Sequence, residues 1–261
     1  MTTLHFPMKN QISVFFAALL AATLLNAQST PADPVATATA AFKKGDLAAA
    51  ETIVTPLAQG ESVRADACAL LGDVRLRQKR VKEAIELLEQ ASQLDPKSAA
   101  YQFQLGQAIS QRMGEVNFMQ QGMLAGRMLK AFKRSVEIDP NYVAGYIGLS
   151  RYYRNAPAIA GGSTEKAIGY AEEARKRDVF TGTLELGFIA DQEGKPEAAL
   201  AYFEEALRLH PEQSWLQETT GGILVKLGRP AEARARFEKA LELDPKRESA
   251  RKALAALPPV S

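Results

Sequence analysis

From Phe180 to Arg247 the chain states one 34-residue pattern twice. Gly187, Gly194, Pro196, Ala199, Phe203, Glu204, Ala206, Leu207, Leu209 and Pro211 recur, each 34 residues later, as Gly221, Gly228, Pro230, Ala233, Phe237, Glu238, Ala240, Leu241, Leu243 and Pro245. A fixed period of this length marks a stacked array, in which each copy is one supersecondary unit that buries its apolar face only against its neighbours. Within a copy, Ala199, Phe203, Ala206 and Leu207 recur every three or four residues, the stripe of an amphipathic helix. Gly194-Lys195-Pro196 turns the chain into that helix, because proline is tolerated in a first helical turn. His210-Pro211 ends it, because proline disfavours helical geometry in the residue before it. Each copy therefore reads as two helices joined by a short turn, and the chain as all-α.

The positions of the pattern resemble the tetratricopeptide repeat, which has small or aromatic residues at 4, 7, 8, 11, 20, 24 and 27 and proline at 32. In the copy from Phe180 these places hold Thr183, Leu186, Gly187, Ala190, Ala199, Phe203, Ala206 and Pro211. In the next they hold Gln217, Thr220, Gly221, Leu224, Ala233, Phe237, Ala240 and Pro245. The copy from Ala65 holds Cys68, Leu71, Gly72, Arg75, Ala84, Leu88, Ala91 and Pro96, with only Arg75 off type. The resemblance implies a right-handed α-solenoid of stacked helix pairs that binds a protein or peptide partner.

Other segments frame the array. Lys9 followed by the apolar run Ile12 to Leu25 and small residues through Ala27 reads as a secretory signal peptide over residues 1–27. As a helix this run would reach about 21 Å, short of the roughly 30 Å of a bilayer core. A cleaved signal, no membrane span afterwards and a periplasmic location are expected. Residues 28–39, rich in Ser, Thr, Pro and Ala, read as a flexible leader, and 40–64 as a degenerate N-terminal helix pair in which Gly45 lies 34 residues before Lys79. The array proper spans 65–247 in copies 65–98, 99–142, 143–179, 180–213 and 214–247. Residues 248–261 form a capping helix and tail.

Two copies depart from the period. Gly106 to Met128 spans 22 residues where Gly72 to Ala84 spans 12, so ten extra residues are expected in the turn between the helices. Ser150 to Ala167 spans 17, five extra at the equivalent turn, and Val179 replaces the closing proline. Insertions at equivalent turns of consecutive copies lie on one edge of a solenoid, often the binding edge. The first contains Met113, Phe118, Met119 and Met123, flexible apolar side chains that suit varied partners when exposed. The bland alternative is that they pack back over the helices as extra core. The second places Gly161, Gly162 and Ser163 before a helix, which suits an anion or, more simply, a turn ended by a serine cap. Its Ala-Pro-x-x-x-Gly-Gly-Ser text resembles a segment of exported bacterial tetratricopeptide proteins.

The first helices of the pairs should line the groove, with Arg151, Arg154 and Phe188 among its exposed positions, beside Asp73, Glu185 and Asp191. Chaperone-binding members of the family hold a carboxylate with Lys, Asn and Arg. Here Ala69, Asp73, Gln104, Ala144 and Gly148 stand at those places, so that clamp is missing. Catalysis is not expected. His5 and His210 are the two histidines, Cys68 is the single cysteine and sits at a core position, and no metal-ligand or cofactor-binding spacing occurs. Residues 1–27 hold one of the 32 basic residues and none of the 30 acidic ones, so the remainder carries a net charge of +1. Such a balance recruits no nucleic acid. The reading is a non-catalytic exported scaffold for a protein partner. A structural subunit of a secretion, pilus or polysaccharide assembly, or a small-anion binder, remains open.

Overall fold

The computed structural model describes residues 33–258. Among the described residues there are thirteen α-helices and no strand. They are α1 (Pro34–Lys43), α2 (Leu47–Gln59), α3 (Ala65–Arg77), α4 (Val81–Leu94), α5 (Ala99–Met113), α6 (Phe118–Ile138) and α7 (Val143–Asn155). There follow α8 (Thr164–Arg177), α9 (Val179–Gln192), α10 (Pro196–Leu209), α11 (Ser214–Lys226), α12 (Pro230–Leu243) and α13 (Glu248–Ala255). Each helix packs mainly on the one before and the one after, so the pairs stack as a solenoid. The expected signal segment lies outside the described residues. The leader expected through Thr39 gives way to α1 at Pro34, where proline suits the first helical position and Val35 and Ala38 are buried.

The signature residues form the contact that joins the two helices of a pair. A β-carbon added at Gly187 would lie 2.6 Å from the Phe203 ring, and one at Gly221 would lie 2.6 Å from the Phe237 ring. Glycine thus lets the aromatic ring of the second helix approach the backbone of the first. Phe203, Ala199 and Ala206 are fully buried there. The 34-residue period is this contact repeated.

Arg75, the one residue off type in its copy, is buried, and its Nη1 lies 2.5 Å from Glu51 Oε1 on α2. Gln78 Nε2 donates to the other oxygen of Glu51 at 2.6 Å. These bonds, Gln78 first and Arg75 second, hold the Glu51 carboxyl below its ordinary range. A buried guanidinium stays only where it is paired, so the irregular residue staples the degenerate first pair onto the array.

The missing proline at the end of α8 also has a structural effect. Other connections between pairs run through four or five residues, as in 60–64, 95–98, 139–142 and 210–213, whereas α8 passes to α9 through Asp178 alone. Asp178 is both the last cap of α8 and the first cap of α9, accepting from Thr181 N at 2.6 Å. The two helices approach so closely that a β-carbon at Gly182 would overlap the backbone of Arg175.

Candidate functional site

The ten extra residues of the first inserted copy are not a loop. Only residues 114–117 separate α5 from α6, and most of the insertion forms the first turns of a 21-residue helix. Asn117 caps it, its Oδ1 accepting from Gln120 N at 3.0 Å. Gln121 Nε2 closes the turn by donating to the carbonyls of Met113 and Val116 at 3.1 and 3.2 Å. Ala125 and Met128 are buried, so the extension is continuous with the core. Neither Gly122 nor Gly126 breaks the helix.

The second insertion remains a loop, and it faces the tip of α6. A short 3₁₀ turn covers Ala158–Ala160, and Tyr152 Oη donates to Ala160 O at 2.9 Å, tying the loop to α7. Between the α6 tip and this loop lies a groove of about 880 Å³. Its floor includes Phe103, Met128, Phe132 and Ile147, and its rims carry Met113, Phe118 and Met119 on one side and Pro157 and Ile159 on the other. Arg151 is the single charged side chain in the lining.

The rims are unusually exposed for apolar side chains. Ile159 is 88% exposed, Met119 79%, Phe118 76% and Met123 64%, and no other large hydrophobic among the described residues reaches 50%. Scattered exposed apolar residues are ordinary, whereas Phe118, Met119 and Ile159 stand together at the mouth of one apolar groove. Met113 is half-buried and packs on the core while lining the groove. Met123 stands beside the groove on the flank of α6.

The other expected positions divide differently. Arg151 Nε donates to Glu185 Oε2 on α9 at 3.1 Å, and Arg154 Nη1 lies 3.3 Å from Glu185 Oε1. Glu185, expected on an exposed groove position, is buried because these two guanidinium groups reach it from the preceding pair. Arg154 is largely buried in this pairing and does not line the groove. Phe188 does not line this groove and is half-buried. It packs edge-on to Phe203, ring centres 5.2 Å apart, as part of the core. Tyr152 and Tyr153 are core, with Tyr153 stacked on Tyr170 at 5.5 Å.

The Gly161–Ser163 turn does not offer its amides to an anion. Gly161 N donates to Ala158 O, Gly162 N to Pro157 O and Ser163 N to Tyr153 O, at 2.9, 3.1 and 2.8 Å. Ser163 Oγ accepts from Lys166 N at 3.2 Å as the cap of α8. A β-carbon at Gly162 would collide with the Ala156 carbonyl, so this glycine shapes the turn. Pro157, which stiffens the inserted turn, and Ile159, to which the sequence assigns no role, form this wall of the groove. An isoleucine inside a Pro- and Gly-containing loop was the available signal.

Elsewhere on the array, Asp73 on α3 accepts from Gln104 Nε2 on α5 at 2.8 Å. Burial pushes its carboxyl up to about 6, the hydrogen bond from Gln104 opposing part of that rise. Cys68 is buried, and burial pushes its thiol up, as for a core residue. Among the described residues no cluster of three metal-ligating side chains occurs, and no helix is long and apolar enough to cross a membrane.

Sequence-family models agree with this architecture. Two models described as tetratricopeptide repeat match residues 158–214 and 192–257, and one described as TPR repeat matches 72–111. Together they cover more than half of the chain. The chain belongs to the tetratricopeptide repeat family. Such repeats generally mediate protein interactions, and the fold generally serves as a scaffold without catalysis. The matched ranges stop at residue 111 and resume at 158, on either side of the α6 tip. A curated relative, cellulose synthase operon protein C of Xanthomonas axonopodis pv. citri (strain 306), is 30% identical over 187 residues. That match covers 67% of this chain and 12% of the relative, so the chain corresponds to a small part of that protein. Among solved structures, a tetratricopeptide repeat protein from Parabacteroides merdae ATCC 43184 superposes with a TM-score of 0.64 at 14% identity, covering 93% of this chain and 91% of that one. A thermophilic TPR protein from Thermus thermophilus gives 0.59 at 22% identity, covering 74% and 98%. At these identities the two structures speak for the fold alone.

Proposed function

We propose that this tetratricopeptide repeat protein is a non-catalytic, exported scaffold that holds a protein partner in the groove between the α6 tip and the 156–160 loop. The observation that carries this reading is the convergence of the most exposed apolar side chains on the mouth of one apolar groove. Large apolar anchors supply much of an interface's energy when a partner covers them. Methionine side chains adapt to the shape of what they cover. The signal-like segment 1–27 supports export and a periplasmic location, with the mature chain beginning near Gln28. Intact-mass measurement on secreted protein tests that start, and retention of Met1 would contradict it. For the groove, the double variant Phe118→Asp, Met119→Asp should keep the parent's melting temperature and lose the partner captured by the parent. Retained capture would move recognition to another face.

A second reading draws on the Xanthomonas relative, whose name places it in a cellulose synthase operon. It supports a setting in a polysaccharide assembly of the cell envelope, where the chain would act as a structural subunit. Self-association of the pure protein through the same groove would favour that reading.

A further inference from the structure

We propose that the groove takes an amphipathic helix of a protein partner, and that a carboxylate side chain on this helix pairs with Arg151. This rests on the groove being the docking surface and adds what the surface recognises. The Arg151 side chain is half-exposed and lines the groove, while Glu185 behind it is buried. Glu185 takes only the Nε edge of Arg151, and Nη1 and Nη2 have no partner among the described residues. The guanidinium is thus held from behind with its far edge free. A planar fork held this way matches the two oxygens of a carboxylate.

Charge at the site points the same way. Two guanidinium groups, Arg151 and Arg154, share the one carboxylate of Glu185, which leaves one positive charge at the groove wall. Ser150 Oγ lies 3.0 Å from Ala167 O and 3.4 Å from Glu185 Oε1 and, as a neutral hydroxyl, adds no charge. Over residues 99–163 there are seven basic and three acidic side chains, whereas the whole chain is only +2. Glu89 reaches in to Arg127 and Glu185 to Arg151, and a positive excess still remains. That excess includes Lys130 and Lys133 on α6, which lie outside the groove lining, so an acidic partner is steered to these two copies and Arg151 is the positive charge it meets in the groove.

The groove also selects the partner's conformation. Among the described residues there is no strand edge on which an extended peptide could add. A Met- and Phe-lined groove between helices is the surface that accepts the apolar face of a helix. The remaining polar lining is mostly amide, from Gln107, Gln111, Gln121 and Asn155. Arg151 is then the one place where a partner's charge is matched.

Selection of random peptides displayed on phage against the full chain tests this. Recovered peptides should carry apolar residues at helical spacing with Asp or Glu at a fixed place among them. In fluorescence anisotropy, changing that acid to its amide should weaken binding to the parent at least about tenfold, the size expected of a lost charge-assisted pair. On Arg151→Gln, where Arg154 still pairs Glu185, the acid and amide peptides should bind alike. Equal affinity of acid and amide for the parent would overturn the carboxylate pairing and leave the groove standing. If selection yields no peptide whose binding is lost with Phe118→Asp, Met119→Asp, the groove reading falls and the pairing falls with it.

Discussion

The copies made of α9–α12 and those made of α5–α8 share one pattern and differ in what they leave exposed. In the regular copies the large apolar residues at signature places are covered, Phe203 and Phe237 by the glycines opposite them. In the inserted copies the same core is present, with Phe132 against Gly106, and the added residues put Phe118, Met119 and Ile159 into solvent. The same core contact is therefore common to both halves, and the exposed residues beyond it are available for something else. Equivalent-looking phenylalanines, Phe203 and Phe118, should then behave in opposite ways.

The largest expected effect lies in the regular half. Phe203→Ala should cost about 3–5 kcal/mol, the range for emptying an aromatic site in a core, read by denaturant unfolding. A loss below about 1 kcal/mol would mean that the Gly–Phe contact does not hold the pair together. At the junction of the two halves, Gly182→Ala should cost about 1–3 kcal/mol, because the added methyl meets backbone that cannot move aside. Hydrogen exchange should show α8 and α9 loosening first.

A further effect, of at most about 3 kcal/mol, depends on pH. The Asp73 carboxyl is raised to about 6 from an ordinary 3.8, so between these values the folded protein binds the proton more tightly than the unfolded chain. This contribution to stability is full below about pH 3.8 and declines as pH rises to about 6. Asp73→Asn should therefore raise the melting temperature at pH 8 and change it little at pH 3.5. Equal gains at both values would refute burial as the cause. The smallest stability change belongs to the groove rim. Phe118→Ser should stay within about 0.5 kcal/mol of the parent while abolishing peptide binding. A Phe118 variant that melts like Phe203→Ala would make the rim part of the core.

The fold was legible because each signature position has one local physical role. A small residue at Gly187 and a ring at Phe203 are required by the same contact, so their spacing alone announces it. The extra residues were legible only as a number. Ten residues between Gly106 and Met128 fit a loop or two added helical turns, and the choice depends on Ala125 and Met128 finding a core to join. Trimming Met113 to Gly126 is therefore not the neutral change that a surface loop would allow. The burial of Glu185 and the partial burial of Phe188 depend on Arg151, Arg154 and Phe203, which no local pattern links to them. Ile159 is illegible in the sequence because a single apolar residue in a loop has no period.

The one-residue joint at Asp178 has a mechanical consequence. Connections of four residues tolerate slack, as links in a chain do. With Asp178 ending one helix and beginning the next, and Gly182 lying against Arg175, the α8–α9 step is a weld. Arg151 and Arg154 bolt α7 to α9 through Glu185 across that weld. A displacement of α7 at the groove should therefore carry α9 with it, where a four-residue connection would let the two move apart.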